Sequence, residues 1–219
     1  MRKIHKQGNE PNALEERRLG YTPFGWGEID DDPDLKEEIK NALLDEQGEL
    51  CAYTGIRVGT GDAHIEHLKP RAHDWGGNTD VSYENMVACH TEEGSTFGAT
   101  YKGDWPSPSE WGDFITPLEE RCEQSFQYET DGSIRAAANN QAAERTIENL
   151  NLDHPELEDL RADAVEGMIE TFSQTNSRAL KTAVQQKVDR LRRRMRQADP
   201  NRLPEFVFVL VDALETHVS

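Results

Sequence analysis

The residues best suited to chemistry are the run His64-Ile65-Glu66-His67. Side chains alternate along a strand, so His64 and Glu66 share a face, and His67, at the strand end, can turn in beside Glu66. A carboxylate suits a hard divalent cation such as Mg²⁺ or Mn²⁺. A neutral imidazole suits removal of a proton from water. Together they are the parts of a metal-dependent hydrolytic site, in which a cation offsets charge on a phosphate under attack and on the departing oxygen. In this reading Glu66 holds the metal and His67 is the general base. The competing reading is a histidine pair on an exposed hairpin, since short motifs recur by chance. A second signal lies one loop later. Asn85, in Tyr83-Glu84-Asn85-Met86-Val87-Ala88-Cys89, can bond the loop backbone and hold His67 in place. Lys69 and Arg71 flank the site and suit phosphate, as an ammonium point charge and a guanidinium fork, or serve as plain surface residues.

Several elements must position these groups. Residues 1–30 mix Gly, Pro and charge and read as irregular, with Phe24 and Trp26 as anchors. Asp32-Pro33 opens a helix whose apolar stripe is Leu35, Ile39, Leu43 and Leu44, and Gly48 can end it. From Leu50 to His67 the pattern predicts a β-hairpin. One arm is Ile56 to Val58, the turn is Gly59-Thr60-Gly61-Asp62, and the other arm is Ala63 to His67. A loop runs from Pro70 to Asp80, where His73 and Asp74 read as solvated. Ser82 then caps a short helix through Glu84 to Ala88. Residues 91–117 look loop-like, and Phe126 to Ile134 suggests a second hairpin around Asp131-Gly132. The rest reads as helical: Ala142 to Leu150, Pro155 to Phe172, about Arg178 to Gln197, and a last helix after Pro204. The third of these is basic, carrying Arg178, Lys181, Lys187, Arg190, Arg192, Arg193, Arg194 and Arg196 against Asp189. Packing on the acidic body is the first reading of that helix; DNA-backbone contact and docking to a partner subunit stand equal behind it.

The blocks CAYTGIRV, HIEHLKPR, YENMVAC and GATYKGDW, in that order, resemble the HNH (ββα-metal) nucleases, and among them the retron-associated and Septu-type anti-phage enzymes. PLEERCEQSFQYETDGSI and ERTIENLNLDHPELEDLR extend the likeness, which covers roughly residues 1–170. The resemblance implies that Glu66 binds metal, that His67 is the base, that His64 can serve the metal, and that Asn85 is the family asparagine. It gives Lys102 a place in a matched block and hence a share in DNA binding. This sequence departs from the pattern twice. Where relatives hold a structural zinc with two cysteine pairs, Thr54 stands in for the partner of Cys51 and Phe97 for that of Cys89. Two thiols cannot close a four-ligand site, so no structural zinc is expected and Tyr53, Ile56 and Phe97 must pack the hairpin instead. The family's last metal ligand, three residues before a lysine, falls on Ala99. His90, one turn beyond Asn85 on the expected helix, is the proposed substitute, with Asp104 behind it.

The chain carries 42 acidic against 24 basic residues, a net charge of -18 over 219 residues. Nucleic-acid binders usually show the opposite sign. Adaptation to high salt or a partner that supplies the phosphate contacts would reconcile the two. Three cysteines argue against a disulfide framework and for a reducing cytoplasm, with Cys122 a small core residue. The N-terminal MRKIHKQGNEPN lacks an apolar stretch behind it and does not read as a secretory signal, and no run approaches a membrane span. The expectation is therefore a soluble cytoplasmic α+β protein. Residues 1–135 would form a small ββα-metal core with its N-terminal helix, and residues 136–219 a helical segment on or beside it. The activity implied is metal-dependent DNA hydrolysis in anti-phage defence beside an ATPase partner, with Mg²⁺ or Mn²⁺ as cofactor. The alternative is a degenerate HNH scaffold that binds nucleic acid or a partner without chemistry.

Overall fold

Asp32 and Gly48 bracket α3 (Pro33–Gln47) as their chemistry requires. The Asp32 carboxylate accepts from the Leu35 amide at 3.1 Å, and Gly48 closes the helix in the left-handed region at φ 65°. The computed structural model describes residues 1–6, 8, 10–20, 23–91, 94–175, 177–197, 200 and 202–217. Within them the fold is α+β. Ahead of α3 lie α1 (Asn12–Leu19) and α2 (Trp26–Asp30), so the N-terminal stretch is not irregular throughout. Its low apolar content hid helices that bury just one residue each, Leu14 and Ile29.

The principal sheet corrects the expected hairpin. β1 (Ala63–His67) pairs antiparallel with β2 (Met86–His90), not with residues 56–58, and the register sets His67 opposite Met86 and Ala63 opposite His90. The segment 84–88, expected as a helix, is instead a 3₁₀ turn at Tyr83–Asn85 running into β2. The short apolar run from Met86 to Cys89 satisfies both periodicities, and pairing decides between them. Residues 50–58 form a compact knuckle with one bridge, Leu50 to Arg57. That knuckle and α3 cover the other edge of β2. The Ala88 carbonyl accepts from the Ala52 amide at 3.1 Å and from Gln47 Nε2 at 2.7 Å, while the Ala88 amide donates to Gln47 Oε1 at 2.7 Å. A buried glutamine thus does the work of a third strand.

After β2 comes α4 (Ala99–Lys102), then the second hairpin, β3 (Phe126–Tyr128) with β4 (Ile134–Ala136), in the place the sequence predicts. Four helices follow: α5 (Gln141–Leu150), α6 (Pro155–Glu170), α7 (Ser177–Met195) and α8 (Val207–His217). Asn140 caps α5 and Pro155 opens α6. α8 packs on α6, α7 and β3. The chain also ties back to the knuckle through Leu203 N–H to the Gly48 carbonyl and Phe206 N–H to the Gly55 carbonyl. α7 buries Val184, Val188, Leu191 and Met195; Leu180 is half-buried, and the side chain of Arg178 lies outside the described residues. Cys122 is buried in the core. No helix among the described residues is long and apolar enough to cross a membrane.

Candidate active site

His67 ends β1 with its side chain on the buried face and is 6 % exposed. Its Nε2 lies 2.8 Å from the Asp80 carbonyl. A carbonyl only accepts, so Nε2 carries the proton and Nδ1 keeps the lone pair. Burial holds the imidazole below its ordinary pKa, against the opposing pull of that same hydrogen bond, so the ring is neutral near pH 7. Trp26 packs edge-on against the ring with centroids 4.6 Å apart. Asp80 organises both groups, because its carboxylate also accepts from the Trp26 amide at 3.1 Å. Neither Trp26 nor Asp80 could be assigned to the site from sequence, since they act through a ring edge and a main-chain oxygen.

Asn85 crosslinks the loop between β1 and β2. It accepts from the Lys69 amide at 2.8 Å and donates to the carbonyls of Lys69 and Thr79 at 3.1 and 2.9 Å. The loop returns through Asp80, the residue that holds His67, so Asn85 fixes the loop that orients the imidazole.

Glu66 faces away from His67 along the strand, beside His64. Its Oε2 lies 3.3 Å from His64 Nε2, and its Oε1 lies 2.7 Å from Lys102 Nζ and accepts from the Tyr53 hydroxyl at 3.4 Å. Burial raises the carboxyl, but the His64 hydrogen bond and the Lys102 ammonium outweigh it and hold Glu66 below its ordinary pKa. The Lys102 side chain is fully buried and donates a second bond, 3.2 Å, to the His67 carbonyl. The expectation that Lys102 meets DNA is therefore corrected. Residues 99 and 102 lie one helical turn apart on α4, so Lys102 projects toward the carboxylate from the face that carries Ala99.

His90 does not complete the set. Residues paired across β1 and β2 share a face, so His64, Glu66, Val87 and Cys89 lie on one side and His67, Met86 and His90 on the other. His90 is on the face opposite Glu66, and at the far end of the ladder from His67. Asp104 is exposed and offers its carbonyl to His73 at 2.8 Å. Among the described residues no group of three His, Cys, Asp or Glu side chains could hold a metal ion. The donors that fit a divalent cation are two: the Glu66 carboxylate, and the imidazole of His64, whose Nδ1 is buried and unpartnered. Two protein donors suit Mg²⁺ or Mn²⁺, which keep several waters, but in this structure the Lys102 ammonium lies 2.7 Å from Glu66 Oε1.

Lys69 and Arg71 remain at the surface. Lys69 Nζ lies 5.7 and 5.3 Å from the ring centroids of Trp75 and Trp111, and the Arg71 guanidinium lies 4.8 Å from that of Trp26. Arg71, Trp26 and His67 thus form one stack leading from solvent to the imidazole. Nearby, Cys51 and Cys89 are both buried and free. Burial raises the Cys51 thiol, but its neighbours Cys89 and Thr54 outweigh that and hold it well below its ordinary pKa, and a Cβ on Gly98 would meet the Thr54 methyl at 3.1 Å.

The chain is 28 % identical over 144 residues to the "Retron Vc95 putative HNH endonuclease" of Vibrio cholerae serotype O1 biovar El Tor, a match that covers 62 % of this chain and 67 % of the relative. The chain is a relative of a retron-associated HNH endonuclease. No protein-family model matches it.

Proposed function

We propose that this HNH relative is an endonuclease that hydrolyses phosphodiester bonds of DNA, and that β1, β2 and α4 form its ββα-metal core. The observation that carries the proposal is the state of His67: a buried, neutral imidazole whose Nε2 is committed to a carbonyl, leaving Nδ1 as a base. Nδ1 takes the proton of a water as that water attacks phosphorus. Asp80 and Trp26 fix the ring, and Asn85 fixes the loop that carries Asp80. Glu66 and His64 would hold Mg²⁺ or Mn²⁺, which supplies charge compensation for the phosphate and the leaving oxygen. Lys69 and Arg71 contact the flanking phosphates. Anti-phage defence beside an ATPase partner is the setting we infer, supported by the retron association of the relative.

A second reading has its own support. Ala99 gives no donor, and Lys102 already neutralises Glu66. A scaffold that lost its chemistry would look the same at those two positions.

Plasmid cleavage separates them. Wild type with Mg²⁺ or Mn²⁺, alone and with an ATPase encoded beside it, is expected to cut, and His67→Ala to lose at least about 100-fold, as loss of a general base does. Absence of cutting under every condition, with no metal uptake, would establish the scaffold.

A further inference from the structure

The chain has a second feature that its charge makes conspicuous. α6, α7, Arg57 and the segment 202–204 border an open cleft of about 580 Å³, in part apolar through Met168 and Leu191, where the cations Arg57, Lys187, Arg190, Arg194 and Arg202 meet. The chain as a whole is at -18, yet here five cations converge. The acidic groups nearby are Glu49, which lies 3.5 Å from Arg57 and 3.4 Å from Arg202, and Glu205, which accepts the Arg57 amide at 2.8 Å. Among the described residues, Lys187, Arg190 and Arg194 have no carboxylate within ion-pair range, and Arg194 donates to the Arg202 carbonyl. Burial and the charge of Arg202 both hold Arg57 below its ordinary pKa. Arg57 and Arg194 also tie the segment 202–204 to the knuckle and to α7, but no such bond is made by Lys187 or Arg190 among the described residues. The buried stripe of α7 is Val184, Val188, Leu191 and Met195, and the cleft cations lie beside it.

We infer that this cleft is a phosphate-backbone site that grips duplex DNA apart from the His67 centre. Guanidinium forks match phosphate oxygens in pairs. The chain is acidic on balance, so a local cluster of cations would help to decide where the duplex lands, alongside Lys69 and Arg71 at the His67 centre. Arg57 is clamped by the Gly48 and Glu49 carbonyls at 3.1 Å each, which makes one wall rigid. Arg190, on the exposed face of α7, is free to reach. DNA as the occupant rests on the nuclease proposal, but the grip itself needs no cleavage.

The test is fluorescence anisotropy of a labelled 20-base-pair duplex with His67→Ala protein in EDTA, across a salt series. Lys187→Gln/Arg190→Gln/Arg194→Gln is compared with Arg121→Gln/Arg135→Gln/Arg145→Gln, which removes the same charge elsewhere. The cleft variant is expected to bind about tenfold or more weakly at low salt, and its log–log salt slope to fall by about 2 to 3. The control should stay within about twofold. Thermal melting of both variants checks that they fold. Equal losses in the two variants, an unaffected cleft variant, or a parent that binds no duplex at any salt would each overturn the assignment. Cleavage by wild-type protein reads the nuclease proposal separately, so either can fail alone.

Discussion

At the residue scale, two buried groups carry sharp consequences. His67 has a depressed pKa, so it is protonated more readily in the unfolded chain than in the folded one. Between the folded value and about 6.5 the unfolded state binds more protons, and stability therefore rises with pH across that window. Its contribution is complete above about 6.5 and is lost as pH falls through the folded value. Cleavage should follow the same limb, with an acid-side midpoint below 6.5, because the base must be neutral. A pH–rate profile beside melting curves checks both, and His67→Gln should flatten the melting difference. Lys102 is the second group. Lys102→Met removes the ammonium from a Glu66 side chain that is only 12 % exposed, and loss of one partner of a buried pair costs about 3–5 kcal/mol. Urea denaturation should show that loss, and Lys102→Met/Glu66→Gln should recover most of it. The single variant should also take up Mn²⁺ more tightly than wild type, since Glu66 is freed.

At the element scale, Asn85 joins the two ends of the loop between β1 and β2. Asn85→Ala removes three hydrogen bonds to that loop and strands their partners, a loss of about 2–4 kcal/mol if two become unsatisfied. Faster hydrogen exchange at the Lys69 amide, together with lower cleavage and a smaller change in DNA binding, is the expected pattern. The β3–β4 hairpin meets α6 with less tolerance. Gly132 sits at φ 81°, and a Cβ there would fall 2.0 Å from the Glu158 carbonyl oxygen. The Gly132 carbonyl itself accepts from Arg161 at 2.7 Å. Gly132→Ala must move the hairpin off α6, and a fall in melting temperature larger than for Gly27→Ala, which meets nothing within 4 Å, measures that contact.

At the scale of the whole molecule, the question is how so acidic a chain would meet the DNA we propose as its substrate. Self-repulsion at -18 opposes compaction, and salt screens it. Raising NaCl from about 0.01 to 1 M, where the Debye length falls from about 30 to 3 Å, should therefore raise the melting temperature. The same salt should weaken duplex binding at the cleft. Opposite responses of stability and binding would separate surface repulsion from the local basic grip; parallel responses would argue against it.

What the sequence determined by itself were the features that are local or chemical. The caps of α3, the second hairpin at Asp131-Gly132, the C-terminal helices and the grouping of His64 with Glu66 all follow from residue type at short spacing. The bonds of Asn85 to the loop backbone were also legible, because an asparagine ahead of an apolar run has few other partners. The tertiary structure decided what depends on residues far apart in the chain. Residues 86–90 are a strand because β1 and Gln47 complete their hydrogen bonds, and that same pairing turns His90 away from Glu66. Lys102 looked like a surface cation until α4 folded against β1. Burying the Glu66 carboxylate required a positive charge beside it, and Lys102, 36 residues further along the chain, supplies it; the strand's alternation turns His67 to the other face, not in beside Glu66 as the sequence suggested.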